Sequence, residues 1–278
     1  MNTVLKLNGF ELVAQRQVMN MLNKLCKNDP LSAHCYAIYY LTYEPGRTEM
    51  LLMVSDGNIK SYALVRYGGK FTIQDIYEVY VWNPTSNIVM EINIPSNKRI
   101  NIQLYGKAFT NVEVIISHFK NLGFKKFYVE KFYDMICSHV EFKPSPTEKL
   151  AVRLREEHAS LYKDLELERG IELSIDEARE ILREYMHYGV IIDDALASIA
   201  ARYVILPEVH VIGGVFTRGK YRGRGYAKAV VSALTREAIT TGAYAGLHVE
   251  VDNEPALRIY RELGYRILRT RMWIFAYP

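Results

Sequence analysis

Eleven residues, Arg218-Gly219-Lys220-Tyr221-Arg222-Gly223-Arg224-Gly225-Tyr226-Ala227-Lys228, concentrate charge and backbone freedom in one place. Five of them are cationic and three are glycine. The apolar run Val209–Phe216 ahead of them has the length and β-rich composition of a strand. Behind them Ala227, Val230, Val231, Leu234 and Ala238 fall on one helical stripe, to about Gly242. A strand therefore enters a basic glycine turn and a helix leaves it. Glycine lets a backbone approach a ligand closely, and a helix start offers unpaired N–H groups and partial positive charge. That chemistry binds phosphate. A nucleotide P-loop would need a hydroxyl after Gly219-Lys220 to hold magnesium, and Tyr221 stands there. A dinucleotide fingerprint would need Gly or Ala three places after Gly225, and Lys228 stands there.

Arg222-x-x-Gly225-x-Ala227 instead resembles the pyrophosphate loop of the GNAT superfamily, the acyl-CoA-dependent N-acyltransferases. A second stretch, Asn253-Glu254-Pro255-Ala256-Leu257-Arg258-Ile259-Tyr260-Arg261-Glu262-Leu263-Gly264-Tyr265, is similar to that superfamily's Asn-x-x-Ala-x-x-x-Tyr-x-x-x-Gly-Phe/Tyr signature at all five positions. Local chemistry agrees: Asn253 suits a helix cap, Pro255 the first turn and Gly264 a left-handed stop. The resemblance implies acetyl-CoA, or another acyl-CoA, as co-substrate. It places the pantetheine arm along Val215, Phe216 and Thr217, and the pyrophosphate on Arg222, Gly223, Arg224, Gly225, Tyr226, Ala227 and Lys228. Asn253 and Tyr260 complete the implied cofactor site.

By the same resemblance Tyr260 lies beside the acyl-CoA sulfur as general acid. A packing role stays open, because Ala256, Ile259, Tyr260 and Leu263 make one apolar stripe. Family members often carry their base at positions occupied here by Val211 and Gly213, neither of which takes a proton. Related N-terminal acetyltransferases use a Glu five residues before the signature Asn, where this chain has His248. Histidine titrates near neutrality, so His248 is the expected base. Glu250 shares its face by alternation, and Glu208, His210 or water stay open.

The elements that must position these groups read in family order: a strand near Leu150–Leu154, helices over His158–Leu165 and from Ser174 to about His187, and three antiparallel strands with a turn at Asp193-Asp194. The phosphate loop, helix, a strand over Gly246–Val251 and the signature helix follow. A strand after Gly264 and another at Arg271–Tyr277 close the series. The resemblance covers roughly residues 147–278. Phe142–Thr147, with two prolines, is the expected boundary, giving domains 1–144 and 145–278.

The first half reads as helices over Glu11–Lys27 and from Ser32, a hairpin turning at Asp56-Gly57-Asn58, and strands at Asp75–Trp82 and Asn87–Ile94. A β-α-β run over 100–129 follows. That order is loosely similar to the same fold. A duplication that lost its phosphate loop and an unrelated α+β domain both stay open, since Tyr105-Gly106-Lys107 offers one glycine and one cation. No cofactor motif lies in this half, which points to shaping the acceptor site or to a homodimer contact. The expected class is α/β (α+β), a GNAT-like mixed sheet flanked by helices behind a second α+β domain.

The 278 residues suit two domains, and 49% hydrophobic with 24% charged residues reads as globular. A net charge of +4 is accounted for by one loop and argues for no nucleic-acid partner. Without a leader or an apolar run of membrane length, the expectation is a cytoplasmic chain with no membrane partner. Cys26, Cys35 and Cys137 have no paired metal spacing, and their odd count argues against a disulfide framework. No metal is expected. The implied acceptor is a small-molecule amine, amino acid or peptide amine. A non-catalytic acyl-CoA-binding sensor or partner subunit is the alternative.

Overall fold

The computed structural model describes residues 4–68, 76–106 and 112–278. They form two compact units, Met1–Phe132 with Thr270–Pro278, and Tyr133–Arg269.

Unit 1 opens with β1 (Val4–Asn8), α1 (Gly9–Ala14), α2 (Arg16–Asn28) and α3 (Ala33–Tyr43). It continues through β2 (Thr48–Ser55), β3 (Asn58–Tyr67), β4 (Ile76–Trp82), α4 (Ser86–Met90), β5 (Arg99–Tyr105), α5 (Val112–Asn121) and the start of β6 (Lys126–Cys137). The hairpin turns where expected, with Asp56 and Gly57 at φ 54° and 68°. Its sheet runs β1-β2-β3-β4-β5, and the last strand of the chain pairs beside β5 through Trp273↔Gln103 to Ala276↔Ile100. One sheet face packs Leu51, Val65, Val79, Ile102 and Ile274 against Ile88, Ile115 and Phe119 of α4 and α5. Opposite them Arg66 is buried between Glu44 and Glu78, at 2.7 and 2.6 Å, with the Tyr40 ring 4.4 Å away.

Unit 2 contains the rest of β6, β7 (Val152–Arg153), α6 (Ala159–Glu168), α7 (Ile175–Glu184), β8 (Met186–Ile192), β9 (Ala195–Ile205) and β10 (Val209–Thr217). Then come α8 (Tyr226–Thr240), β11 (Tyr244–Glu250), α9 (Glu254–Glu262) and the first residues of β12 (Arg266–Tyr277). The strands run β11-β10-β9-β8-β7. Met135, Cys137, Ile212, Ala245, Leu247 and Val249 pack beneath Val230 and Leu234 of α8 and Leu257 and Tyr260 of α9.

Three expectations need correction. The apolar stretch Asn87–Ile94 is not a strand: Thr85 accepts from the Ile88 amide at 3.3 Å and starts α4, whose Ile88 and Val89 are buried. The last two strands are one, β12, because nothing between Arg266 and Tyr277 breaks the extended backbone. Cys26 and Cys35 are joined by a disulfide with Cα atoms 5.2 Å apart, and Cys137 is the buried free cysteine. Residues 142–147 are held into unit 2 by Lys143 N donating to Leu263 O (3.0 Å) and Ser145 N to Ser232 Oγ (2.9 Å). Asp75, from the expected strand over 75–82, and Lys107 lie outside the described residues.

Candidate acyl-CoA site

The basic loop is built for close approach. After β10 a short 3₁₀ turn over Gly219–Tyr221 buries the Tyr221 ring. Gly223 and Gly225 then take φ 76° and 77°, which β-carbon-bearing residues adopt only with strain. A Cβ at Gly223 would meet nothing within 4 Å, so its outer face is open. Gly225 is the N-cap of α8 and supplies no side-chain cap, which leaves first-turn N–H groups for a ligand. Arg218 pairs with Glu168 at 3.1 Å and Lys228 with Glu262 at 2.8 Å. Arg222 donates to Thr217 O at 3.2 Å, and among the described residues Lys220, Arg222 and Arg224 have no carboxylate within 4.0 Å. Glycine freedom, an uncapped helix start and three uncompensated cations fit a pyrophosphate.

Sequence reasoning missed what braces this loop. Thr147 Oγ1 donates to Gly225 O at 3.4 Å, Ser232 Oγ donates to Glu148, and Arg236 is ion-paired to the same carboxylate. The stretch expected as the boundary thus supports the α8 N-terminus.

β10 and β11 are parallel neighbours only from Val209↔Tyr244 to Ile212↔Leu247. Gly213 through Thr217 stay with β9 across an irregularity between Gly213 and Phe216, where Gly214 takes φ 62°. The two strands therefore part, and the backbone of Val215, Phe216 and Thr217 has no ladder partner on β11. Ser198 Oγ donates to Phe216 O at 3.0 Å and meets Thr217 Oγ1 at 2.8 Å, and the Arg169 guanidinium lies 5.5 Å from the Phe216 ring. Unit 1 has a parallel pair at the equivalent place, β4 and β5, and it stays paired from Ile76↔Arg99 to Trp82↔Tyr105. No gap opens there.

His248 is the first residue of β11 past the pairing with β10. Ala245, Leu247 and Val249 enter the core under the helices, so alternation turns His248, Gly246 and Glu250 to the other face. There His248 Nδ1 lies 2.7 Å from Asp134 Oδ1, and Asp134 Oδ2 lies 3.3 Å from Arg269 Nε. Asp134 is fully buried and the His248 side chain 4% exposed. Tyr260 lies in the helix-side core, 5.9 Å from the Tyr265 ring, with its hydroxyl pushed up to about 12 by burial. The structure thus sets His248, on the strand beside the gap, and Tyr260, on α9, on opposite faces of the sheet.

Gly213 cannot be replaced by a longer base without displacing a neighbour: an added Cβ would meet Tyr203 Cε1 at 2.7 Å. His210 is buried, with Nδ1 2.9 Å from Arg202 Nη1. Burial first, then the Arg202 charge, lowers it to about 4, which makes it a poor proton acceptor near neutrality. Glu208 precedes β10 at the end away from the gap. Asn253 accepts from the Ala256 amide at 3.2 Å, so its side chain caps α9. Asp134 and Arg269 went unread in the sequence. The signal for Asp134 was an acid inside the apolar run Phe132–Cys137.

The family model described as FR47-like protein matches residues 188–274. No curated protein matches the sequence. Among solved structures, a Drosophila protein superposes with TM-score 0.73 at 14% identity, over 100% of this chain and 99% of that one. A tandem GNAT protein from the clavulanic acid biosynthesis pathway gives 0.58 at 13% identity, over 99% and 98%. A GCN5-related N-acetyltransferase from Sphaerobacter thermophilus gives 0.57 at 15% identity, over 98% and 95%. The expectation of a GNAT-like second half agrees with these matches, and of the two readings left open for the first half they favour the GNAT-like one: the chain has a tandem GNAT fold, with the FR47-like segment in its second half.

Proposed function

We propose that the chain is an acyl-CoA-dependent N-acyltransferase, moving an acetyl or other short acyl group directly to a small-molecule, amino-acid or peptide amine. The observation that carries this reading is the continuity of the phosphate loop with a parted strand pair. Gly223 to Lys228 hold the pyrophosphate, and the free edge of Val215–Thr217 pairs with the pantetheine arm.

His248, directly or through one water, takes a proton from the amine as its nitrogen bonds to the thioester carbon. The Val215 N–H polarises the carbonyl. As the carbon–sulfur bond breaks, Tyr260 gives its proton to the leaving thiolate and regains one from solvent. Burial keeps the Tyr260 hydroxyl protonated at neutral pH, the state an acid must hold. No covalent acyl-enzyme is needed, since Cys26 and Cys35 are bonded to each other and burial pushes the Cys137 thiol up to about 12.

A transfer screen of acetyl-CoA against amines, amino acids and peptides, read by free thiol and product mass, tests the reading. Tyr260→Phe keeps the packing volume and removes only the hydroxyl. It is expected to lower kcat by about 10²–10⁴-fold with little change in coenzyme A affinity. Unchanged kcat in Tyr260→Phe assigns Tyr260 to the core. Coenzyme A binding without transfer to any acceptor favours the non-catalytic sensor or partner subunit.

A further inference from the structure

We infer that Asp134 is a positioning residue for His248, fixing the imidazole as its Nδ1–H tautomer so that Nε2 is the nitrogen that takes the amine proton. The inference rests on the proposed acyl transfer for its catalytic meaning, though not for its geometry. Asp134 sits in β6 between Met135, which enters the helix-side core, and Tyr133. It therefore turns to the same face of the sheet as His248. Its Oδ1 lies 2.7 Å from His248 Nδ1. An ionised carboxylate only accepts hydrogen bonds, so the proton of that contact belongs to Nδ1. A neutral imidazole that donates from Nδ1 carries its lone pair on Nε2.

Two further observations make this more than a buried pair. Asp134 is fully buried, where an unpaired carboxylate would be costly, and Arg269 at 3.3 Å from Oδ2 supplies the compensating charge. The carboxylate thus lies between a cation, 3.3 Å from Oδ2, and the imidazole, 2.7 Å from Oδ1. His248 also occupies the first position of β11 beyond its pairing with β10, so the group so oriented is the one nearest the parting strands. By contrast His210, the other histidine of these two strands, meets an arginine through Nδ1, the opposite polarity.

The test has an arm that needs no substrate. Nitrogen-15 spectra of the histidine-labelled full chain, with His248 assigned among the 7 histidines by difference from His248→Gln, are expected to show the Nδ1–H tautomer. A Nε2–H pattern for His248 overturns the inference whether or not any amine is acylated. Asp134→Asn can present its amide N–H to the ring instead, and is expected to shift His248 toward Nε2–H. In an active protein it lowers kcat at least about 10²-fold with KM for acetyl-CoA changed less than about threefold. Asp134→Glu, which keeps the charge, is expected to recover part of kcat. An Asp134→Asn protein that is folded by circular dichroism yet keeps both tautomer and kcat overturns the inference. If no acceptor is found, the spectra alone decide it, so its failure and that of the acyl-transfer reading remain distinct.

Discussion

His187 shows how burial can dominate a side chain's chemistry. It is enclosed beside the Tyr162 ring, 5.1 Å away, with Nδ1 near Tyr185 O at 3.2 Å. Burial lowers it to about 4, with Arg169 adding to the shift. In the unfolded chain a histidine titrates near about 6.5. As pH falls below that, the unfolded state takes up the proton first, so stability is complete above about 6.5 and is lost as pH falls toward about 4. His210 acts in the same direction, whereas burial raises Glu166, a neighbour of Tyr162, and so opposes them on acidification. His187→Phe keeps a ring and removes the titration. Urea midpoints measured from pH 7 to 4.5 should therefore fall less steeply in this variant than in the parent chain. Equal slopes would show that His187 is protonated within the fold.

Short elements obeyed local chemistry wherever that chemistry is self-contained. Ser174 and Glu177 exchange the two bonds of a capping box at the start of α7, at 3.2 and 2.7 Å. Asp193 and Asp194 both take positive φ in the turn between β8 and β9. The loop before α8 belongs with them, since its glycines and cations are contiguous. Arg222→Ala is expected to weaken coenzyme A binding roughly ten- to a hundredfold, the worth of one charge-assisted bond. Gly225→Val should weaken it further, because a β-branched residue at φ 77° strains the cap and obstructs the amides. Unchanged calorimetric affinity in both variants would remove the loop from the site. Features made by distant segments were not legible. Composition alone did not separate α4 from the strand expected over Asn87–Ile94. Nothing near His248 names Asp134, which lies 114 positions away. The support that the proline stretch gives α8 was not legible because its partners Ser232, Gly225 and Leu263 arrive from the far end of the chain.

The two units carry a similar order of helices, antiparallel strands and a parallel pair, yet only one of those pairs parts. In unit 2 the ladder between β10 and β11 ends at Ile212↔Leu247, ahead of two left-handed glycines and an uncapped 15-residue helix. In unit 1 all seven residues of β4 stay paired with β5, and the Asn83 amide extends the ladder to Tyr105 O at 3.1 Å. The five-residue α4 comes after β4 and is capped by Thr85, so its first turn already has an acceptor. An extended pantetheine arm needs an unpaired strand edge, and a pyrophosphate needs unpaired amides. Unit 1 presents neither at its parallel pair. The full chain should therefore bind one equivalent of coenzyme A in calorimetry, and Gly225→Val should remove that single event rather than expose a second. Two equivalents, or one that survives Gly225→Val at full affinity, would place a binding edge in the first unit despite its continuous ladder.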